Sequence, residues 1–471
     1  MVGRNRGWNV AFCWLACVAM CAALAGPAAK ASAGEQPKPQ PQPQPAPWDG
    51  WYNRAVGGVL IDQRGMLENA TVDALGELRS ARAKSLQAAP SAELNRFAQL
   101  RKISLKKLDA QLQRHVQSGD KLPDEVRFLA GLQQIRYIFV DPKNHDIVLA
   151  GPAEGWKLDA KGNLVGATTG RPVLLLDDLL VALRSADQAL RETISCSIDP
   201  TPEGLNRLRA HVAKLERMGD PQQTAAGIEQ ALGPQRISIS GVPAESHFAR
   251  TLVAADYRMK RLGMNFEPAP IKGLPSYLHL LDASGRGLSA MLPRWWLAPE
   301  YQALLRDAEG LSWELRGSSV KVLAEEDFLG PAGQRAGTAK AGRAAAQWAD
   351  NMTRHYEQLA LADPVFGQVR NCADLAVVGA LIAHENLLAK AGCQLPTMFD
   401  PTVLPTPRLP APQQVPSKVS MLKKNDRWVI SASGGVKIDL RTILKKVEMA
   451  EKLETIRKEA ELGVHDDWWW N

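Results

Sequence analysis

Residues 235–264 read QRISISGVPAESHFARTLVAADYRMKRLGM, and this stretch decides the fold. Gln235 to Ser240 alternates isoleucine with polar residues, the pattern of a short strand. Gly241-Val242-Pro243 marks a turn. From Ser246 to Leu262, at about 100° per residue, Phe248, Leu252, Ala255, Met259 and Leu262 fall on one helical face, the stripe that docks on a core. His247, Arg250, Tyr257, Arg258 and Arg261 fall on the other side. Asp256 and Lys260 form an i,i+4 pair in the favourable order.

Working outward, TISCSID precedes this stretch as another strand, and Pro200-Thr201-Pro202-Glu203 opens a helix through Leu215, proline suiting the first turn. Residues 193–264 therefore read as strand–helix–strand–helix. Upstream, IRYIFVD and DIVLAG flank Pro142 to His145 as a hairpin, and GWKLDAKGNLVG is a second hairpin with Gly162 at its turn. Pro172 to Ser185 turns helical. Asp177 and Asp178 sit near its first turn, where carboxylates suit the helix dipole. As a catalytic dyad they would need to face one substrate, and adjacent helix positions do not face one way. Residues 66–118 read as helical on the recurrence of Leu94, Phe97, Leu100, Leu105, Leu108, Leu112 and Val116, with Ser91 as a cap. Downstream, SYLHLLD, RWWLAP, YQALLRD, LSWELRG and VKVLAE read as short strands, and helices return at 347–361 and 366–391.

The expected class is α+β: a mixed sheet with packed helices in a central domain (131–329), flanked by helical N-terminal (51–130) and C-terminal (347–395) regions. Gly330 to Ala346 reads as a flexible loop and 396–417, rich in proline, as a linker. Residues 418–471 hold a short β segment, a charged helix from Arg441 to Leu462, and Trp468-Trp469-Trp470.

Arg4 and Arg6, an apolar run from Trp8 to Leu24 and Ala31-Ser32-Ala33 have the order of a secretory signal cleaved near Ala33. Retention of the run as an anchor is the alternative. PKPQPQPQPAP at 37–47 is a polyproline-type spacer within 34–50. No later run reaches the length of a membrane span. The formal charge of +7 loses Arg4, Arg6 and Lys30 with the leader, leaving 54 Lys/Arg against 50 Asp/Glu, which argues against specific nucleic-acid binding. Arg79 to Arg114 carries nine Lys/Arg and two acids, either a contact for an anionic polymer or a solvated helix face. The odd set Cys196, Cys372 and Cys393 excludes full intrachain pairing. Cys372 and Cys393 can meet only if the helix between them breaks, for instance at Gly379.

Chemical motifs are few. Gly285-Arg286-Gly287-Leu288-Ser289-Ala290 is followed too soon by Pro293 and Trp295-Trp296 to open a dinucleotide-binding helix. His384-Glu385 lacks the second histidine of a zinc-protease motif, since residue 388 is Leu. No metal and no cofactor is expected. The candidate ligand-binding residues are His247, Arg250, Tyr257, Arg258 and Arg261, because guanidinium forks grip carboxylate, sulfate or phosphate. His247 would carry a proton, with Arg250 and Arg261 as clamps. The same face also suits a scaffold bonded to acids such as Asp199 or Glu203.

ISCSIDPTPEGL, the GVPAESHFAR…ADYRMKRLGM portion, PRWWLAP and MTRHYEQLA…PVFGQVRN…DLAVVGALI resemble a family of secreted planctomycete proteins known as a domain of unknown function. The resemblance covers roughly residues 50–440. It implies bacterial export and a shared architecture, and carries no catalytic residue across. The expected function is that of a non-enzymatic envelope or extracellular interaction protein whose partner is an anionic polymer or another envelope protein. An enzyme or small-ligand domain using the basic-aromatic helix face is the alternative.

Overall fold

The chain's fold is given by a computed structural model. It describes residues 89–471 apart from 215–219, 282–291, 318, 330–334, 338–341, 410, 423–426, 430–431, 461 and 463–468. Before residue 89 it describes only 55–56, 59–61, 66–69, 80, 83–84 and 86. The expected leader and spacer, and the motif at 285–290, lie outside the described residues.

After a small three-stranded sheet over 55–69, the main elements in chain order are β1 (Ala98–Ser104), α1 (Leu105–Ser118), β2 (Tyr137–Asp141), β3 (Asp146–Ala153) and α2 (Leu176–Arg184). Next come β4 (Ile194–Asp199), α3 (Pro202–Val212), α4 (Pro221–Leu232), β5 (Gln235–Ser240) and α5 (His247–Gly263). Then follow β6 (Leu292–Glu300), β7 (Leu304–Arg306), β8 (Ser312–Glu314), β9 (Ser319–Leu329) and β10 (Arg335–Gly337). The last are α6 (Arg343–Arg354), α7 (Pro364–His384), β11 (Gln414–Val415), β12 (Ser433–Ile438), β13 (Val447–Met449) and α8 (Lys452–Glu459). A seven-stranded sheet has the order β10-β9-β6-β12-β4-β5-β11, and a six-stranded sheet the order β13-β7-β8-β2-β3-β1. Both are mixed, because β6–β12 and β7–β13 are the parallel pairs among antiparallel neighbours. The fold is thus α+β, with two large mixed sheets where the sequence suggested one.

Alternation in β4 buries Ile194, Cys196 and Ile198. Onto that face α5 lays Phe248, Leu252, Ala255, Met259 and Leu262, all buried as their spacing requires. Helix α7 is buried along almost all its length because it runs through the core. It is long and apolar enough to cross a membrane, but 94% of its apolar window is buried inside the protein. It stays unbroken at Gly379, where a Cβ would come within 2.5 Å of the Ala182 carbonyl, so the glycine lets α7 lie close on α2. The chain turns only at Asn386, with φ 52°. Cys196, Cys372 and Cys393 are buried and free.

Several expectations need correction. The helix-period stretch 66–118 contains the strand β1, paired to β3 from Arg101↔Gly151 to Ser104↔Val148. Its charged residue Arg101 points inward, donating to the carbonyls of Leu94 (3.3 Å), Ala130 (2.7 Å), Glu93 (3.4 Å) and Arg96 (3.1 Å). SYLHLLD is not a strand: Ser276 Oγ caps the short helix Tyr277–Leu280, and Tyr277 packs edge-on to Trp295 at 5.2 Å. The second helix between β4 and β5, α4, had no expected counterpart; Asp220 Oδ1 caps it through Gln222 N and Gln223 N. The loop at 330–346 includes strand β10 and the start of α6. The charged helix expected over 441–462 is divided into Leu440–Leu444, β13 and α8.

The proline-rich stretch 396–417 lies along the body rather than apart from it. Asp109 Oδ1 accepts from Met398 N at 2.6 Å, and Arg184 donates to the carbonyls of Met398 (2.7 Å) and Leu404 (2.9 Å). Ile237 N donates to Gln413 O at 2.9 Å beside the β5–β11 pairing. Proline lacks a donor and is tolerated at such an edge.

At the centre of the larger sheet β12 is squeezed between β6 and β4. A Cβ on Gly434 (φ +99°) would sit 2.0 Å from Trp295 O, and one on Gly435 1.7 Å from Cys196 O. We expect Gly435→Ala to lower the unfolding free energy by at least about 2 kcal/mol. Urea titration checks this, and an unchanged midpoint would contradict the close approach.

Candidate functional site

The site suggested by the sequence is the polar side of α5, and its geometry begins with a buried charge. Lys260 Nζ donates to Asp256 Oδ2 (2.8 Å), Ile198 O (2.9 Å) and Gly434 O (3.1 Å), so each of its three hydrogens has an acceptor. The i,i+4 pair is therefore interior: Asp256 is 0% and Lys260 7% exposed. Burial pushes the Asp256 carboxyl up to about 7 against the pull of the Lys260 ammonium.

At the C-terminal end of α5, Arg258 Nε and Nη2 both donate to Asp363 Oδ2, at 2.9 and 2.7 Å, and Nη1 meets Glu267 Oε2. Arg261 Nε meets the other Glu267 oxygen. The Arg261 guanidinium also lies 5.5 Å from the Tyr257 ring and 5.8 Å from that of Phe266. Burial would lower the Arg258 pKa, but Asp363 and Glu267 outweigh it and raise it. Likewise burial would raise Glu267, and the two arginines bring it below the usual carboxylate range. The acids that meet Arg258 and Arg261 are thus Asp363 and Glu267: the chain turns back after α5 to bring Glu267 under it, and Asp363 stands at the N-terminal end of α7 alongside.

His247 stands at the opposite end. Its Nδ1 is 3.1 and 3.0 Å from the two oxygens of Asp178, with Thr251 Oγ1 at 3.5 Å. A carboxylate can only accept, so Nδ1 carries the proton. The His247 side chain is 16% exposed. Burial would lower its pKa, but Asp178, then Asp177, overcome that and raise it above the usual histidine value. Burial and Asp178 push Asp177 up to about 6. Cys372 has its thiol pushed well up by burial, so it stays protonated at neutral pH and packs as a small hydrophobe. Arg250 is 2% exposed.

The five candidate residues therefore do not converge. From His247 to Arg261 is fourteen residues of helix, about 21 Å, too far for one small anion. Tyr257, Arg258 and Arg261 form one cluster and His247 with Asp178 another. Beside the first, Tyr257, Arg261, Phe266 and Val415 line a half-open hollow of about 40 Å³. That is room for a few waters rather than a substrate-sized ligand. No group of three or more His, Cys, Asp or Glu among the described residues is placed to hold a metal ion.

Residues 196–277 match the DUF1598 family, described as a protein of unknown function. No curated protein and no solved structure matches the chain. The DUF1598 span runs from Cys196 in β4 to Tyr277 and takes in α3, α4, β5 and all of α5. It contains four of α5's polar partners, Ile198, Asp256, Glu267 and Tyr257, while Asp178, Asp363 and Gly434 lie outside it. Asp178, Asp363 and Glu267 are the residues that sequence reasoning missed as partners. The first was in view as half of an Asp pair; the second carried no local signal.

Two outcomes follow for α5. Lys260→Met should cost about 3–5 kcal/mol by stranding Asp256, and adding Asp256→Leu should restore most of it in urea unfolding. For His247, the raised folded pKa means its contribution is fully present below the unfolded value and lost as pH rises through the folded one. The wild-type melting temperature should therefore fall between pH 6.5 and mildly alkaline pH by more than that of His247→Gln. Parallel curves for the two would remove the ion pair as a stabilising contact.

Proposed function

We propose that this chain is an exported bacterial protein that works by binding another macromolecule of the envelope or extracellular space rather than by catalysis. The leader-like order of residues 1–33 and the spacer at 37–47 support export. The observation that carries binding of a macromolecule over small-anion binding is the pairing of Arg258 and Arg261 with Asp363 and Glu267. Those guanidinium forks are already engaged, so the basic-aromatic face is scaffold. The partner is another envelope protein. An anionic polymer is the second choice, met by the exposed Lys84, Arg96, Lys106 and Arg114.

A second reading keeps a catalytic or small-ligand role at His247, favoured by the carboxylate that orients its ring, as general bases are oriented. Asp178→Asn separates them. Under the binding reading it alters only stability and its pH dependence.

Export is checked by fusing residues 1–50 to a leaderless alkaline phosphatase in a bacterial host. Periplasmic activity and a new N-terminus near Gly34 are expected, and a reporter retained in the cytoplasm would refute export. For the face itself, Arg258→Ala and Arg261→Ala should each lower the melting temperature. Phosphate, sulfate and acetate should raise the wild-type value no more than they raise that of the variants. A stabilisation by one anion that vanishes in a still-folded Arg261→Ala would hand the site to the ligand reading.

A further inference from the structure

The six-stranded sheet ends on one side at β1, and an edge strand presents unpaired N–H and C=O groups. Here that edge is occupied by the chain's own last residues. Ser104 N donates to Trp469 O (2.9 Å), Lys102 N to Asn471 O (3.2 Å) and Asn471 N to Lys102 O (3.1 Å), with Ile103 opposite Trp470 in antiparallel register. Trp469 and Trp470 are each 7% exposed. Trp469 and Trp470 are folded in rather than presented.

Arg101 explains why tryptophan suits this edge. Its guanidinium is fixed by the four carbonyls already described, so it cannot swing to water. It meets the Trp470 ring at 5.3 Å from the centroid. A fixed cation facing an indole is a preformed receptor for an aromatic ring, and the β1 backbone beside it is a template for an extended segment. Residues 469–471 are held at this strand edge by a short ladder, the Arg101 cation and the burial of two indoles, beside which the run from Leu292↔Asp327 to Glu300↔Ser319 that joins β6 to β9 is long.

We propose that the outer edge of β1, with Arg101, is a docking groove for a tryptophan-bearing extended segment. In one chain it is filled by residues 469–471. When they leave, the groove takes the same segment from a second copy, so that two chains associate by exchanging these residues. A second copy is the occupant because the groove's backbone register and its cation are both matched to this segment. The inference rests on the fold alone and not on the proposed export or envelope partner.

The test uses a dye-labelled peptide of residues 463–471 and fluorescence anisotropy. A chain lacking 469–471, checked for cooperative thermal unfolding, should bind the peptide saturably, and a peptide with Trp470→Ala should bind at least about tenfold more weakly, or 1.4 kcal/mol. The full-length chain should show a dimer by light scattering as concentration rises, and Trp470→Ala should remove it. A folded truncated chain that ignores the peptide overturns the proposal, as does equal binding of the alanine peptide. If the truncated chain fails to fold, full-length Trp470→Ala serves instead. It should bind the wild-type peptide, and a folded variant that does not bind it overturns the proposal equally.

Discussion

An ammonium group buried under a sheet must find an acceptor for every hydrogen, and the position of Lys260 follows from that demand. Its acceptors come from its own helix, from β4 and from β12, which lie side by side in the larger sheet. The helix can satisfy them only at one height and one rotation over those strands. Replacing such a pair by apolar residues is often neutral in stability; what the pair adds is registry. Two glycines complete the constraint. At Gly434 the strand comes close enough to offer its carbonyl, and at Gly263 a Cβ would lie 2.6 Å from the Trp295 ring, so the end of α5 rests directly on that indole. Trp295 in turn packs on Trp348 of α6 at 4.2 Å between centroids.

Elements with local punctuation were legible in the sequence. The hairpins of β2–β3 and of Trp156–Leu158 with Leu164–Gly166 follow from their turns, with Gly162 at φ +78°, and α5 from its apolar stripe. Elements whose charges are satisfied at a distance were not. Strand β1 was hidden because Arg101 breaks an alternation that is nonetheless real: its guanidinium is interior, and its carbonyl acceptors are invisible to any count of apolar residues. Proline at 396–417 suggested a spacer because its effect on the local chain is known, whereas the edge of β5 waiting for a neighbour is a property of the sheet.

The candidate site was half legible for the same reason. Helical spacing collected His247, Arg250, Tyr257, Arg258 and Arg261 on one side, but a helical wheel discards length along the axis. Restoring that length separates the His247 end from the Arg261 end. It could not supply Asp363, which is 105 residues from Arg258. A basic face without its acids on the page reads as a ligand grip; with them it reads as a joint between α5 and α7.

That joint bears on what the DUF1598 span is physically. Taken alone, residues 196–277 would expose Lys260 with one acceptor missing, Arg258 without Asp363, which accepts from two of its nitrogens, and His247 without Asp178. Its two strands, β4 and β5, would have lost β12 on one side and β11 on the other. Two strands with three helices can bury the apolar stripe of α5 on one face only, while α7, α2 and β12 bury the rest. The family span is therefore the centre of a larger fold whose charges close only when the flanking regions are present.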